Sequence, residues 1–239
     1  MSPIDCDKYH RFWAVRDSSF AKQVGRNTTF QATLTFSKTE IMKKFKIEDT
    51  VILLIDHQEG TLNFSANRPH EVIISRARAL ARIAKDLNIP VVLTSSQEEL
   101  AQGPLIKDME EILPQQFAER IKRQGITNAW DDEAFKAAVL KAADGRKNIV
   151  MAGLTNDVCI VWPSISMQEE GFDVQVVIDG GGSPTDIAEE VARRTWESQG
   201  VRTTTISQFV SEFIGSWATP EGEKVKPILF EEIYSKLFN

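Results

Sequence analysis

Short apolar runs that alternate with segments of helical spacing constrain the fold of this chain more than any other feature. The runs are nearly continuous in apolar residues and cover residues 51–55, 91–94, 148–152 and 174–178. Apolar residues recur at helical spacing over 69–87, 131–143, 156–170 and 185–198. Because continuously apolar strands are typical of parallel sheets buried on both faces, the alternation predicts helices on both sides of one sheet.

Two weaker segments complete the predicted sheet. A possible third strand runs through Phe117–Ile121, with Arg123 just after it, and residues 200–206 are a candidate for the last strand. We therefore predict an α/β fold, a three-layer (αβα) Rossmann-like domain with a mostly parallel sheet of about six strands.

The predicted domain covers residues 46–239, including a C-terminal helical segment, and residues 1–45 form an N-terminal extension. The extension has scattered aromatic residues and many Ser, Thr, Lys and Arg residues. Three interpretations stay open for it: a segment that packs on the domain or on a neighbouring subunit, a basic and Ser-rich organellar presequence, and a partly flexible tail.

Composition narrows the class of partner. The net charge of −6 and the lack of Lys/Arg-rich runs argue against nucleic acid or an anionic membrane. No apolar run approaches the roughly 20 residues that span a bilayer. Two cysteines, Cys6 and Cys159, are too few for a disulfide framework and favour a reducing compartment, for which we expect the cytoplasm. With three histidines in the chain, we expect no catalytic metal and no cofactor.

Cys159 follows the predicted strand 148–152 and the turn at Gly153, in the first turn of a predicted helix. A helix start gathers unpaired backbone N–H groups and the positive end of the helix dipole, so a thiol there is expected to tend toward thiolate. The same N–H groups are able to receive an oxyanion. The alternative is a small core residue, since free cysteines are often buried.

Asp56 and Arg123 are predicted to lie at the same sheet edge as Cys159. Asp56 closes the first strand, Arg123 follows the possible third, and ligands of such folds bind beyond the carboxyl ends of the strands. A carboxylate, a cation and a thiol together suit nucleophilic catalysis. Taken singly, Asp56 is also suited to capping a turn, and Lys122 and Arg123 to forming a solvated basic pair.

Four motifs in order resemble the isochorismatase-like cysteine hydrolase superfamily, and within it the YcaC-type branch. They are Val51–Gln58, Thr94–Gln97 with the following Gly103–Leu105, Asn128–Asp131 and Ala152–Cys159. The resemblance covers roughly residues 48–215 and leaves the first 45 residues out.

The resemblance implies a three-residue catalytic site. Asp56 matches the family's general base, Cys159 its nucleophile, and Arg123 the cation found at this place in the branch. Lys122 is the neighbouring alternative, but consecutive strand residues point to opposite faces, so only one of the two is able to line the site. Relatives with a metal place an Asp/His set near the pocket, and the residues after Asp56 lack that pattern.

The resemblance also implies a non-proline cis peptide between Leu154 and Thr155. Backbone N–H groups of Thr155 and Cys159 are expected to hold an oxyanion. The alternative role for Trp130 is packing at a contact between subunits. Four further residues are candidates for substrate binding: Gln58, Ser96, Asn128 and Trp130.

The function implied is hydrolysis of an amide or related C–N bond of a small molecule through a thioester on Cys159. The alternative is a catalytically weak or inactive oligomeric binding protein on the same scaffold. Relatives of this type form homo-oligomers, octamers among them, so we expect a homo-oligomer, with the aromatic-rich N-terminal and C-terminal segments as candidate contacts.

Overall fold

The computed structural model describes residues 44–237, and these contain one sheet of six strands. The spatial order is β3-β2-β1-β4-β5-β6, and every neighbouring pair is parallel. This confirms the predicted αβα fold. The strands are β1 Thr50–Ile55, β2 Val91–Ser96, β3 Ile121–Arg123, β4 Asn148–Gly153, β5 Asp173–Val177 and β6 Arg202–Thr204. The predicted extension, residues 1–45, falls outside the described part except for its last two residues.

Eight α-helices connect and cover the strands in the described part of the chain. Buried residues of α1, α2, α7 and α8 form the core on one face of the sheet, and those of α4, α5 and α6 form the core on the other. The helices are α1 His70–Asp86, α2 Lys107–Ile112, α3 Pro114–Ala118, α4 Glu133–Ala143, α5 Val161–Glu169, α6 Asp186–Ser198, α7 Ile206–Ile214 and α8 Pro220–Glu232.

Strand β1 shows why the sheet needs both layers. Ile52 and Leu54 pack into one core and Val51, Leu53 and Ile55 into the other, because successive side chains of a strand point to opposite faces. The strand is paired on both sides, with β2 and with β4. The residue that follows it therefore emerges from the middle of the sheet edge.

The predicted third strand is misplaced. Phe117 belongs to α3, and the strand is the three-residue β3, which includes Arg123 instead of preceding it. Pro114 occupies the first position of α3, where its fixed φ favours a helix and its missing N–H costs nothing. The Phe117 N–H then bonds the Leu113 carbonyl at 2.8 Å, which commits this segment to the helix.

The helix predicted over residues 156–170 has two parts. Asn156–Ile160 forms a single π-helical turn, in which the Ile160 N–H bonds the Thr155 carbonyl at 3.2 Å, and α5 continues from it. Single π turns inside helices are frequent at functional sites.

Along residues 44–237, no helix has both the length and the apolar character that crossing a bilayer demands.

Candidate active site

Asp56 is delivered to the centre of the carboxyl edge by β1. Its backbone is left-handed, with φ of 55°, which turns the chain out of the sheet immediately after Ile55. The conformation is held by two hydrogen bonds: the Asp56 N–H donates to the Thr94 carbonyl at 2.9 Å, and the Asp56 carbonyl accepts from the Gln58 N–H at 2.7 Å. Asp is one of the residues that tolerates this region, so the turn is available without glycine.

Arg123 is buried beside Asp56 and is bonded through each nitrogen of its guanidinium. Nη2 forms a salt bridge with Asp56 Oδ2, Nε donates to Thr94 Oγ1 at 3.0 Å, and Nη1 donates to the Ile126 carbonyl at 2.8 Å. Three acceptors in fixed positions suit the planar fork of a guanidinium and would not suit a lysine. The arginine therefore acts as a fixed positive charge at the base of the site.

Lys122, the alternative cation, is on the other face of β3. Its ammonium is half exposed and pairs with Glu98 at 2.9 Å, in a cluster with Arg120. These cations lower the pKa of Glu98 to about 2, against the opposing effect of its partial burial. The alternation of strand side chains thus places Arg123, and not Lys122, beside Asp56.

Cys159 lies in the π turn and is partly exposed, and its thiol is close enough to the Asp56 carboxylate for each group to shift the pKa of the other. Burial raises the pKa of the thiol to about 12, and the negative charge of Asp56 acts in the same direction. Arg123 and a hydrogen bond from the Thr155 N–H lower the pKa but do not offset these effects. The resting nucleophile is therefore a protonated thiol.

The expectation that the helix start makes Cys159 a thiolate is wrong. A helix dipole favours an anion by about 0.3–1 kcal/mol at exposed positions, which is less than the cost of ionising a largely buried thiol beside a carboxylate. Burial also raises the pKa of Asp56, against the effect of the Arg123 charge. A carboxylate of raised pKa is a stronger base, so the pair is suited to transferring the thiol proton to Asp56.

The peptide bond between Leu154 and Thr155 is cis, the configuration that the resemblance implies. The turn around it packs directly on the glycine run 180–182. A Cβ on Gly181 would lie 2.2 Å from the Gly153 carbonyl oxygen and 2.4 Å from Asn156 Oδ1. Only glycine allows so close an approach, so the run serves as a packing surface for the nucleophile turn.

Gln58 and Ser96 brace the loops beside the site. The Gln58 side chain is fully buried, and its amide spans the backbone of Ser96, donating to the carbonyl at 2.9 Å and accepting from the N–H at 2.8 Å. It also donates to the Gly103 carbonyl at 2.5 Å. These bonds tie the segment after β1 to the end of β2, and they engage both polar atoms of the Gln58 amide.

Asn128 and Trp130 are part of the packing of α5 in this structure. Asn128 caps the short 3₁₀ turn Ala129–Asp131 by accepting from the Trp130 N–H at 3.1 Å, and its Nδ2 donates to Ser166 at 3.1 Å. The Trp130 indole is 3% exposed and stacks edge-on against Phe172, with ring centroids 5.9 Å apart. Their assignment to substrate binding stays a prediction.

Sequence reasoning did not assign a site role to His57 or to Thr94. His57 is buried, its Nε2–H donates to the Gly180 carbonyl at 2.8 Å, and burial lowers its pKa to about 4, so the ring is neutral. Thr94 orients Arg123 while its own hydroxyl donates to the Ile121 carbonyl at 2.8 Å. The signal available was position: His57 follows the end of β1 directly after Asp56, and Thr94 lies in the carboxyl-terminal half of β2.

No group of three or more His, Cys, Asp and Glu side chains suited to a metal ion occurs within residues 44–237. The groups beside Cys159 are one carboxylate and one guanidinium, and the carboxylate is committed to the salt bridge.

The fold and this site define the class of protein. The isochorismatase domain family matches residues 50–208, which is well over half of the chain. The chain therefore belongs to the isochorismatase family, as the four motifs predicted.

Within that family the chain is a hydrolase similar to YcaC. The probable hydrolase YcaC of Escherichia coli is 38% identical over 144 residues, 60% of this chain and 67% of that protein. The structure of E. coli YcaC, an octameric hydrolase of unknown specificity, covers 84% of this chain and 97% of its own, with a TM-score of 0.77 and 31% identity. YcaC from Pseudomonas aeruginosa, with hexane-2,5-diol and covalent acrylamide, covers 82% and 96%, with a TM-score of 0.76 and 33% identity.

Proposed function

We propose that this protein hydrolyses an amide or related C–N bond of a small molecule, with Cys159 as nucleophile and a thioester as intermediate. The observation that carries the proposal is the buried Asp56–Arg123 pair beside a partly exposed, protonated Cys159. A thiol with so high a pKa carries very little thiolate at neutral pH and needs a base to react, and Asp56 is close enough to act as that base. The covalent acrylamide in P. aeruginosa YcaC supports a reactive small-molecule site in this type of protein.

In the first half-reaction Asp56 accepts the proton of the Cys159 thiol as the sulfur attacks the carbonyl carbon. The carbonyl oxygen becomes an oxyanion, for which the N–H groups of Thr155 and Cys159 are the proposed donors, each worth about 3–4 kcal/mol when well placed. The C–N bond then breaks, and the amine leaves with the proton held by Asp56. The product is a thioester on Cys159.

In the second half-reaction a water molecule attacks the thioester, and Asp56 accepts a proton from it. The C–S bond breaks, the acid leaves, and the proton returns from Asp56 to the sulfur. Arg123 holds the Asp56 carboxylate in place through both steps, so that the same oxygen atoms serve as base and then as acid.

We also propose that the working form is a homo-oligomer. E. coli YcaC is octameric. In this chain Val158 and Trp162, on successive turns beside Cys159, are 40% and 50% exposed, and Ile187 and Val191 on α6 are 78% and 59% exposed. Exposed apolar side chains grouped in this way favour a protein contact. Light scattering after size exclusion tests this proposal, and a monomer at micromolar concentration would refute it.

The function is tested by trapping the acyl-enzyme. Wild-type protein is mixed with small amides, carbamoyl compounds and hydroxamates, quenched in acid and analysed by intact mass and peptide mapping. We expect an acyl group on Cys159 and its loss in Cys159→Ala, while Cys6→Ala, which removes the other cysteine, keeps it. Turnover that persists in Cys159→Ala would refute the cysteine mechanism. Binding of the same compounds without any adduct or turnover would favour the binding-protein alternative.

A further inference from the structure

The carboxylate of Glu189, on the first turn of α6, lies against the nucleophile turn. Glu189 accepts from Asn156 Nδ2 at 2.9 and 3.1 Å and from the Ser183 hydroxyl at 2.7 Å. The guanidinium of Arg68 is 3.7 Å away. The Glu189 side chain is 16% exposed, so most of its charge is balanced by these protein groups and not by water.

Asn156 connects this carboxylate to the nucleophile. It is fully buried, follows Thr155 directly and begins the π turn that carries Cys159. Its Nδ2 donates to Glu189 and to the Ile178 carbonyl at 3.2 Å, and its backbone N–H donates to the Gly182 carbonyl at 2.8 Å. The start of the turn is thus fixed through both its side chain and its backbone.

Asp56 is connected to the same loop from the other side. His57, the next residue, bonds the Gly180 carbonyl, and Arg68 bonds the carbonyls of Ile178 and Gly181. The loop 178–183 is therefore a common support: the base reaches it through His57 and the nucleophile turn through Asn156. The relative position of thiol and carboxylate depends on this support remaining rigid.

We propose that Glu189 is a positioning residue for the nucleophile, which clamps Asn156 and Ser183 together so that the Cys159 thiol faces Asp56. This rests on the proposed function. A charged side chain is an expensive means of packing α6, because removing a carboxylate from water costs several kcal/mol before its partners offset it. An uncharged residue would attach the helix as well. The charge is explained by its three partners, two hydrogen-bond donors and the Arg68 guanidinium, which come from three separate segments around the site.

The test compares Glu189→Ala and Glu189→Gln with wild type. Glu197→Ala is the matched control, since Glu197 lies on the same helix, is half exposed and pairs with Arg193 on the surface of that helix. The readout is the second-order rate of Cys159 alkylation by iodoacetamide as a function of pH, measured on folded protein with unfolding followed separately. Because Asp56 removes the thiol proton in wild type, that rate is expected to be nearly constant between about pH 7 and pH 9.

In Glu189→Ala we expect the rate at neutral pH to fall at least about tenfold, since displacements of about 1 Å cost up to 100-fold in comparable sites. The rate should also begin to rise with pH, as for a thiol without a base. Glu189→Gln keeps one acceptor oxygen and should fall between the two, and Glu197→Ala should match wild type.

A flat, wild-type profile in folded Glu189→Ala, with only a lower unfolding midpoint, would show a purely structural role and overturn the proposal. If Glu189→Ala does not fold, Glu189→Gln and Ser183→Ala decide the question in the same way, because each removes part of the network. Failure of the proposed function looks different. In that case the wild-type rate itself rises with pH, before any variant is compared.

Discussion

The proton transfer from Cys159 to Asp56 has a specific consequence for pH dependence. When a thiol reacts only as preformed thiolate, its reaction rate rises about tenfold with each unit of increasing pH, as long as the pH stays below the thiol pKa. A thiol whose proton is taken by Asp56 during attack reacts at a constant rate wherever Asp56 is ionised. We therefore expect the rate of Cys159 alkylation to be independent of pH in wild type. In Asp56→Asn, the logarithm of the rate should rise with pH with a slope of one.

The magnitude follows from the thiol pKa. With a pKa of about 12, roughly 10⁻⁵ of the thiol is ionised at pH 7, against about 3% for an ordinary cysteine of pKa 8.5. Reaction through free thiolate would therefore be about three thousand times slower than for an exposed thiol. A positioned base contributes about 10²–10⁴-fold, which is enough to recover that loss. Asp56→Asn removes the base and also one charge that raises the thiol pKa, so its slope is more diagnostic than its absolute rate.

The assay follows iodoacetamide labelling by mass spectrometry between about pH 6 and pH 9, with peptide mapping to separate Cys159 from Cys6. Asp86→Asn, which changes an exposed aspartate at the end of α1, is the control for a generic loss of charge. Because the Asp56→Asn substitution leaves the Arg123 guanidinium without its counterion, circular dichroism must first show that the variant is folded.

A wild-type profile that rises with a slope of one over this range would refute the reasoning. It would mean that Cys159 reacts as thiolate without help from Asp56. A flat profile in both wild type and Asp56→Asn would also contradict it, because another group would then be the base.

Three further changes have outcomes that the structure fixes. Arg123→Met leaves Asp56 buried without its partner, so the free energy of unfolding in urea should fall by about 3–5 kcal/mol. His57 titrates near 6.5 when unfolded and near 4 when folded, so stability should be full above pH 6.5 and fall by about 3 kcal/mol toward pH 4, a loss that His57→Gln should remove. Gly181→Ala places a methyl 2.2 Å from a backbone oxygen and should destabilise far more than Gly180→Ala, whose nearest contact is a side-chain carbon at 3.0 Å; equal losses would contradict the packing argument.

The central strands could be predicted because their burial is recorded in their composition. Strands β1, β2, β4 and β5 have mostly apolar cores covered on both faces, and their predicted limits agree with the structure to within one or two residues. The edge strand β3 has only three residues and includes a lysine and an arginine. A segment this short carries no periodicity, so the preceding apolar stretch around Phe117 was the more convincing strand.

The position of the candidate site could be predicted from the sequence, but the protonation state of its groups could not. Strand ends predicted that Asp56, Arg123 and Cys159 share one edge, and the structure brings them together. The protonation state of Cys159 depends on burial and on the distance to a carboxylate from another strand, which no local pattern contains. Glu189 and Arg68 were likewise hidden, because their roles arise from contacts between segments more than 30 residues apart.

The site is assembled from distant parts of the chain. Asp56 and Arg123 are separated by 67 residues, and His57 and Gly180 by 123. A chain growing from the ribosome therefore carries its cysteine for some time before the loop that aligns it with the base has been made. Until then the thiol has no partner to take its proton beyond what solvent offers. The flat pH profile of Cys159 alkylation is thus a product of completed folding: the unfolded thiol should react as an ordinary cysteine whose rate rises with pH, and the change of profile marks the point at which Cys159 and Asp56 have come together.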